Sequence, residues 1–210
     1  MTTDAVPSRR LPEQQRSKAR VEAILDCAAE LIARDGIDAM TMSELASAAG
    51  LRLPSIYRYF PGKAAIVQTL LERYEGLVRA RLIESIAPAG TVQDAREVIS
   101  SIVRGYWQIF RDDTTYAAVW SAAVANPDLA RIDVENTRQT SALIADVIRG
   151  VVPESMQYDV DQLVFTCNHI AGSTVRFATL LAPDEAERIV DMLVDHILPI
   201  SLGLSGTAKS

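Results

Sequence analysis

Apolar positions recur along this chain with a period of 3.6 residues almost from end to end. From Val21 they fall at Ile24, Leu25, Ala28, Leu31 and Ile32, the i, i+3, i+4, i+7 stripe of an amphipathic helix. Gly36 follows as a left-handed stop. A second helix is predicted from Thr41. Thr41-x-x-Glu44 is a capping box, in which the hydroxyl and the carboxylate each satisfy an exposed amide. Leu45, Ala46 and Ala49 give this helix a thin apolar face, and Gly50 ends it. A short third helix is expected from Pro54, whose fixed φ and missing N–H suit a first turn, to about Phe60. Its spacing turns Ile56 and Phe60 inward, and Ser55, Tyr57, Arg58 and Tyr59 outward.

A long fourth helix, Lys63 to about Ile86, carries Ile66, Val67, Leu70, Leu71, Tyr74, Leu77 and Val78. Lys63 stands in its first turn, where a cation opposes the helix dipole, so a second reason such as a phosphate is indicated. After Pro88-Ala89-Gly90 the rhythm resumes, with helices predicted over about Thr91–Asp112 and Thr115–Ala125. Asn126-Pro127-Asp128 opens another, to about Arg149, and Gly150 to Tyr158 reads as a loop. Two helices close the chain, Asp159 to about Leu181 and Pro183 to about Leu202. The fold class is therefore all-α, with about nine helices and no alternating strand segment.

The last two helices are apolar on nearly every face, from Leu163, Val164 and Phe165 to Leu180, and from Ile189 to Ile200. A helix without a wet face is buried on both sides. A homodimer joined through these two helices, four in all, is the economical solution; a central helix in a larger monomer core is the alternative.

Composition narrows the class. No apolar run approaches the roughly 20 residues of a membrane span, and the N-terminus lacks the apolar segment of a secretory signal, so a cytoplasmic protein with no membrane partner is expected. Cys27 and Cys167 both sit in apolar helical patterns and read as buried free thiols, with a disulfide as the alternative. Net charge is −6, unevenly spread. Residues 1–63 hold nine Lys and Arg against eight Asp and Glu; residues 64–210 hold twelve against nineteen. Arg9, Arg10, Arg16, Lys18 and Arg20 cluster near the start, giving a cation-tipped end on an acidic body. Residues 1–15 are read as a disordered basic arm, solvated or touching DNA.

Catalysis finds little support. Cys167 and His169 are two apart on a helix and diverge, as do the adjacent Asp195 and His196. No Gly-rich phosphate loop, His-x-x-x-His or Cys-x-x-Cys is present, and neither a metal nor an enzymatic cofactor is expected. A metal held by His169 or His196 with nearby Asp, and a helical scaffold without DNA binding, are the remaining alternatives.

Two short helices joined by a tight glycine turn, the second displaying hydroxyls and an arginine, form the layout of a helix-turn-helix. The segments AILDCAAELIARDG, TMSELASAAG and SIYRYFPGKAAIV resemble the DNA-binding region of the tetracycline-repressor (TetR) family over about a quarter of the chain. The resemblance implies a helix-turn-helix domain over residues 16–62 and a ligand-binding and dimerisation domain over 63–210. It implies a transcriptional regulator, by family default a repressor, released from an inverted-repeat operator on double-stranded DNA by a small-molecule effector. It further implies phosphate contacts from Thr41, Tyr57, Tyr59 and Lys63, and a recognition-helix hydroxyl at Ser55. Arg52 and Leu53, just before the helix start at Pro54, depart from the family's common serine and polar residue. Arg52 is a candidate for guanine O6 and N7 or for a phosphate; Leu53 for a thymine methyl or for packing; Arg58 for a phosphate or for Glu44.

An effector site is the least local reading. Tyr106, Trp107, Phe110, Tyr116 and Trp120 cluster near a helix junction, and Phe165, Asn168, His169, Thr174 and Phe177 share a helix able to face them. A pocket for a small hydrophobic ligand and a filled aromatic core are the two readings. Arg176 is a candidate counter-ion or interface salt bridge.

Overall fold

In the computed structural model, residues 13–124 and 127–205 are described, apart from the side chains of residues 13, 114, 121–124 and 127–129. The expectation of disorder before residue 13, and the helix start at Asn126, lie outside them. The described residues form ten helices and no strand. These are α1 (Glu13–Asp35), α2 (Met42–Ala48), α3 (Leu53–Tyr59), α4 (Lys63–Ser85), α5 (Val92–Asp112), α6 (Thr114–Val124), α7 (Pro127–Ile148), α8 (Glu154–Gln157), α9 (Val160–Ala178) and α10, which starts at Pro183–Met192. The α10 chain continues without a break through a π-helical stretch, Leu193–Ile197, into Leu198–Ser201.

The predicted start and stop signals act as expected. Thr41 Oγ1 accepts from the Glu44 amide at 3.1 Å while Glu44 Oε2 accepts from the Thr41 amide at 2.9 Å. Thr91 and Asp94 repeat the device at the head of α5. Gly36 and Gly50 both take positive φ, 80° and 63°. At Gly50 the amide of Leu51 donates to Ala46 O and that of Gly50 to Ser47 O, the paired bonds that close a helix on a left-handed residue. This turn sets the angle between α2 and α3.

Three elements depart from the sequence expectation. α1 begins at Glu13, eight residues before the apolar stripe, so Glu13–Gln15 belong to a helix rather than to an arm. Its first turns are mostly Glu, Gln, Arg, Lys and Ala, good helix formers that show no apolar stripe because they are largely exposed. The loop expected over 150–158 contains α8, a single turn closed by the Met156 amide on Pro153 O. The helix predicted from Pro183 to Leu202 is not regular. Pro199 has no N–H to give Asp195 O, and the ladder shifts to an i→i−5 bond, from the Leu198 amide to Leu193 O.

α4 is the spine. It packs against α1 and also against α5, α6 and α7. Ile66, Val67, Leu70 and Leu71 are fully buried along it. Arg73 of α4 ties back to α1, with Nη1 at 2.6 Å from Asp26 Oδ1 and 3.3 Å from Glu22 Oε2. α6 lies against both α1 and α4, and Tyr116 of α6 stacks on Tyr74 of α4 at 4.6 Å between centroids.

α9 and α10 are not buried all round within one protomer. α9 turns Val160, Val164, Cys167, Ala171, Val175 and Ala178 inward, but leaves Ile170 and Phe177 exposed, as is Leu180 in the turn that follows. On α10, Met192, Ile197 and Ile200 are exposed. Cys27 and Cys167 are free thiols, and no helix among the described residues is long and apolar enough to cross a membrane.

Gly50→Ala is expected to lower stability in urea unfolding by about 1 kcal/mol, because an L side chain at this φ is strained even though the space around it is open. Gly62→Ala, at an extended φ of 178° in open space, is expected to leave it nearly unchanged.

Candidate nucleic-acid interface and ligand cavity

α3 is held by its inner face. Ile56 is fully buried and Phe60, at its C-cap, nearly so, and the Phe60 amide closes the helix on Ile56 O. Arg52, Tyr57 and Arg58 are exposed, whereas Tyr59 is half-buried against the core. Arg52 is the N-cap, exposed, with no side-chain capping bond, so its guanidinium is uncommitted by the helix start. Pro54 and Arg58 are exposed and Tyr57 is 49% exposed; Ser55 is half-buried. Leu53 is half-buried and packs against the core.

Tyr59 sits among cations. Arg58 donates to its hydroxyl at 3.5 Å and lies over its ring at 5.2 Å. The Arg58 hydrogen bond, with Arg20 and Ser17 of α1 adding to it, holds the phenol below its ordinary pKa. Arg58 thus partners Tyr59 and not Glu44. The sequence reading placed Arg20 in a basic segment but not in this group, because the α1–α3 approach is long-range.

Two expected phosphate ligands carry structural work of their own. Thr41 Oγ1 is shared with Glu44, donating to Oε2 at 2.9 Å. Lys63 Nζ donates to the carbonyls of Asp38 at 3.0 Å and Ile37 at 3.3 Å, pinning the start of α4 to the α1–α2 connection. That tether is the second reason for a lysine in a first turn; a phosphate is not required to explain it.

A second site lies within residues 63–210. A cavity of about 110 Å³ opens between α4, α5, α7 and α9. Apolar walls come from Val78, Leu82, Ile102, Val103, Ile109 and Ile144. Of the residues expected to bind a ligand, Tyr106, Asn168 and His169 line it. Asn168 is held by Thr140 Oγ1 at 2.9 Å and Ser141 Oγ at 3.0 Å. Burial raises the Tyr106 phenol to about 12.

The other five are elsewhere. Phe110 fills the core, in ring contact with Tyr106 and Tyr116. Trp107 is buried and gives its indole N–H to Glu187 of α10 at 3.2 Å. Trp120 is buried beneath the Arg176 guanidinium, 4.2 Å from its ring centroid. Phe165 lies against Arg138, and Phe177 is 54% exposed on the outer face of α9. Of these five, Phe110 packs ring to ring, while Trp107, Trp120 and Phe165 meet charged side chains of other helices.

Sequence reasoning missed the charged lining. Glu75 of α4 is buried, 9% exposed, and Asp133 of α7 is half-buried. Burial, then the nearby Asp133 charge, pushes the Glu75 carboxyl up to about 7, against Arg176 and Arg79, which pull it down. Burial raises Asp133 as well, against Arg176 and His169. Arg176 lines this cavity. A signal existed: Glu75 stands four residues after Leu71 and three before Val78, on the apolar stripe. Among the described residues no group of three His, Cys, Asp or Glu is placed to hold a metal ion.

Residues 24–70 match the family model described as bacterial regulatory proteins, tetR family, and residues 93–194 match that of the tetracyclin repressor-like C-terminal domain. The chain is 24% identical over 192 residues to the HTH-type transcriptional regulator BetI of Rhizobium meliloti (strain 1021), covering 89% of this chain and 92% of that protein. It is 29% identical over 128 residues to the nucleoid occlusion factor SlmA of Actinobacillus pleuropneumoniae, covering 54% of this chain and 63% of that one. Its fold is that of a TetR-family transcriptional regulator from Streptomyces coelicolor, at a TM-score of 0.69 and 23% identity over 91% of this chain and 100% of that one. The structure of SmeT, the repressor of the Stenotrophomonas maltophilia multidrug efflux pump SmeDEF, superposes at 0.70 and 12% identity, over 90% and 94%.

The Glu75 environment has a measurable consequence. Its folded pKa lies above the ordinary value, so the folded state binds the extra proton and stability falls as pH rises from about 4.5 to 7. Glu75→Gln removes this slope. The variant is expected to gain on the order of 3 kcal/mol over the wild type in urea unfolding at about pH 8, and much less at about pH 5.

Proposed function

The chain belongs to the tetR family of bacterial regulatory proteins, transcriptional regulators with a helix-turn-helix DNA-binding domain, and on that footing we propose a cytoplasmic homodimeric repressor that a small-molecule effector releases from an inverted-repeat operator. One observation carries this reading. α3 is sealed to the core by Ile56 and bare on its outer side, where Arg52, Tyr57 and Arg58 stand free of the core. A helix so mounted fits the major groove, about 12 Å wide.

The roles follow from the chemistry of each group. Arg52, at the helix start, offers a fork to guanine O6 and N7 and carries base preference. Pro54 and Ser55 bring the first turn close to the base edges, while Leu53 supports them from the core side. Tyr57, Arg58 and Tyr59 hold backbone phosphates, with Arg20 beside them. Thr41 and Lys63 place the second and fourth helices, and each keeps polar capacity for a phosphate. Such contacts release counterions, so binding weakens steeply with salt.

Dimerisation completes the reader. Ile170 and Phe177 of α9, Leu180 just beyond it, and Met192, Ile197 and Ile200 of α10 form an apolar strip on one protomer, and members of this family act as dimers. A second copy covers the strip with its own. Two α3 helices then meet half-sites about 34 Å apart, or a multiple of it. An effector in the 110 Å³ cavity touches α4, whose first residue adjoins α3. If it favours heads at the wrong spacing, a coupling of about 1–3 kcal/mol weakens DNA binding about 5–150-fold.

Selection of bound duplexes from a random pool tests the function. Enrichment of an inverted repeat is expected; no enrichment over random duplex would leave a scaffold without DNA recognition. On the selected operator, Arg52→Ala is expected to cost about 1–3 kcal/mol and to relax one base position in each half-site. Equal weakening on every sequence would assign Arg52 to phosphate.

A further inference from the structure

We propose that the cavity between α4, α5, α7 and α9 takes a small organic cation, an amine or amidine on an apolar body, with its charged nitrogen between Glu75 and Asp133. This rests on the reading of that cavity as the effector site and adds the chemical class of its occupant.

Glu75 is the starting point. It is about nine-tenths buried and lines the cavity, yet among the described residues no hydrogen bond or ion pair within 4 Å satisfies it. Asp133, from the facing helix α7, is half-buried in the same lining and equally without such a partner. A buried carboxylate without partners is costly unless a donor or cation is supplied. Their mutual repulsion is part of what raises the Glu75 carboxyl.

The cations nearby do not fill that role. Arg176 lines the cavity, but its guanidinium lies on the Trp120 ring at 4.2 Å and donates to Ser173 Oγ at 3.1 Å. Arg79 is four residues after Glu75, does not line the cavity, and donates to Asn136 Oδ1 at 3.0 Å. Arg81 and His169 stand in the lining at exposed positions. An anionic ligand entering between Glu75 and Asp133 would meet two carboxyls. A cation there gains both, with Tyr106 as an aromatic wall and Val78, Leu82 and Ile102 around its apolar part. At about 110 Å³ the space suits a ligand on the scale of one ring, since a cavity of about 150 Å³ holds benzene.

The groups that face Glu75 are Asp133 on α7, Arg79 on α4, Tyr106 on α5, Tyr116 on α6 and Arg176 on α9, with His169 acting on Asp133. The phenols of Tyr106 and Tyr116 lie far above neutrality, and the carboxyl of Glu75 is the one poised there. A cation needs that carboxyl ionised, so its affinity rises with pH across neutrality.

Calorimetric titration of the full-length protein, without DNA, tests this with benzylamine, benzyl alcohol and benzoate. Benzylamine is expected to bind about ten-fold or more tightly than either of the others at about pH 8. Its affinity is expected to fall about ten-fold between about pH 8 and pH 6, and this fall should vanish in Glu75→Gln. Glu75→Gln and Asp133→Asn should each bring the ratio of amine to alcohol affinity toward unity, with circular dichroism reporting that each variant is folded. A preference for benzoate, equal binding of all three, no binding by any, or an amine preference that survives both substitutions would overturn the proposal. Because the readout contains no DNA, its failure leaves the operator selection untouched, and failure of that selection leaves this result standing.

Discussion

One helix has to satisfy two cores at once, and the rest of the structure follows from that constraint. α4 closes the small helical head by packing on α1, and it also lies against α5, α6 and α7. Its N-terminal part, Ile66 to Leu71, leaves no room for independent adjustment, since Ile66, Val67, Leu70 and Leu71 are all fully buried. Interiors packed to crystal-like density transmit displacement and do not absorb it. Arg73 on Asp26 and Glu22, and Tyr74 on Tyr116, add a charged and an aromatic tie at the same level. The first residue of this helix, Lys63, is pinned by its ammonium to the α1–α2 connection. The orientation of α3 is thus fixed relative to the larger part of the chain by packing, and no flexible linker lies between them.

The same helix carries Glu75 into the cavity, two turns beyond Val67. A buried carboxyl that titrates near neutrality is an expensive thing to keep in a core. Replacing it by an apolar residue would stabilise the empty protein. Its presence on the element that links cavity to head makes sense as a binding group whose cost is recovered when a ligand arrives. The energetic tension and the lever therefore coincide on one helix.

Much of the head was legible in the sequence because its signals are local. The Thr41–Glu44 box, the glycines at 36 and 50, Pro54 and the Ile56–Phe60 spacing each act within a few residues, and each does in space what its spacing implies. The site in the body was legible in part. Tyr106, Asn168 and His169 line the cavity, but Trp107, Phe110, Trp120, Phe165 and Phe177 do not, because which rings meet is decided between helices far apart in sequence. Glu75 and Asp133 were not singled out, because which charged side chains line a cavity is decided by contacts between helices. The apolar excess of α9 and α10 was visible, but sequence periodicity could not say how much of it the protomer itself covers. Val164, Val175, Val190 and Leu193 are covered by the protomer's own core, and Phe177, Leu180 and Ile200 are left bare.

The central claim is that two copies hold two recognition helices at a defined separation through rigid fourth helices. Pulsed electron–electron double resonance on the DNA-free protein, with Cys27 and Cys167 replaced and a spin label attached at the exposed position 47 of α2, measures that separation directly. A single narrow distance population, compatible with half-sites about one DNA turn or a multiple apart, is the predicted result. The absence of any dipolar signal between protomers, or a broad featureless distribution, would contradict it.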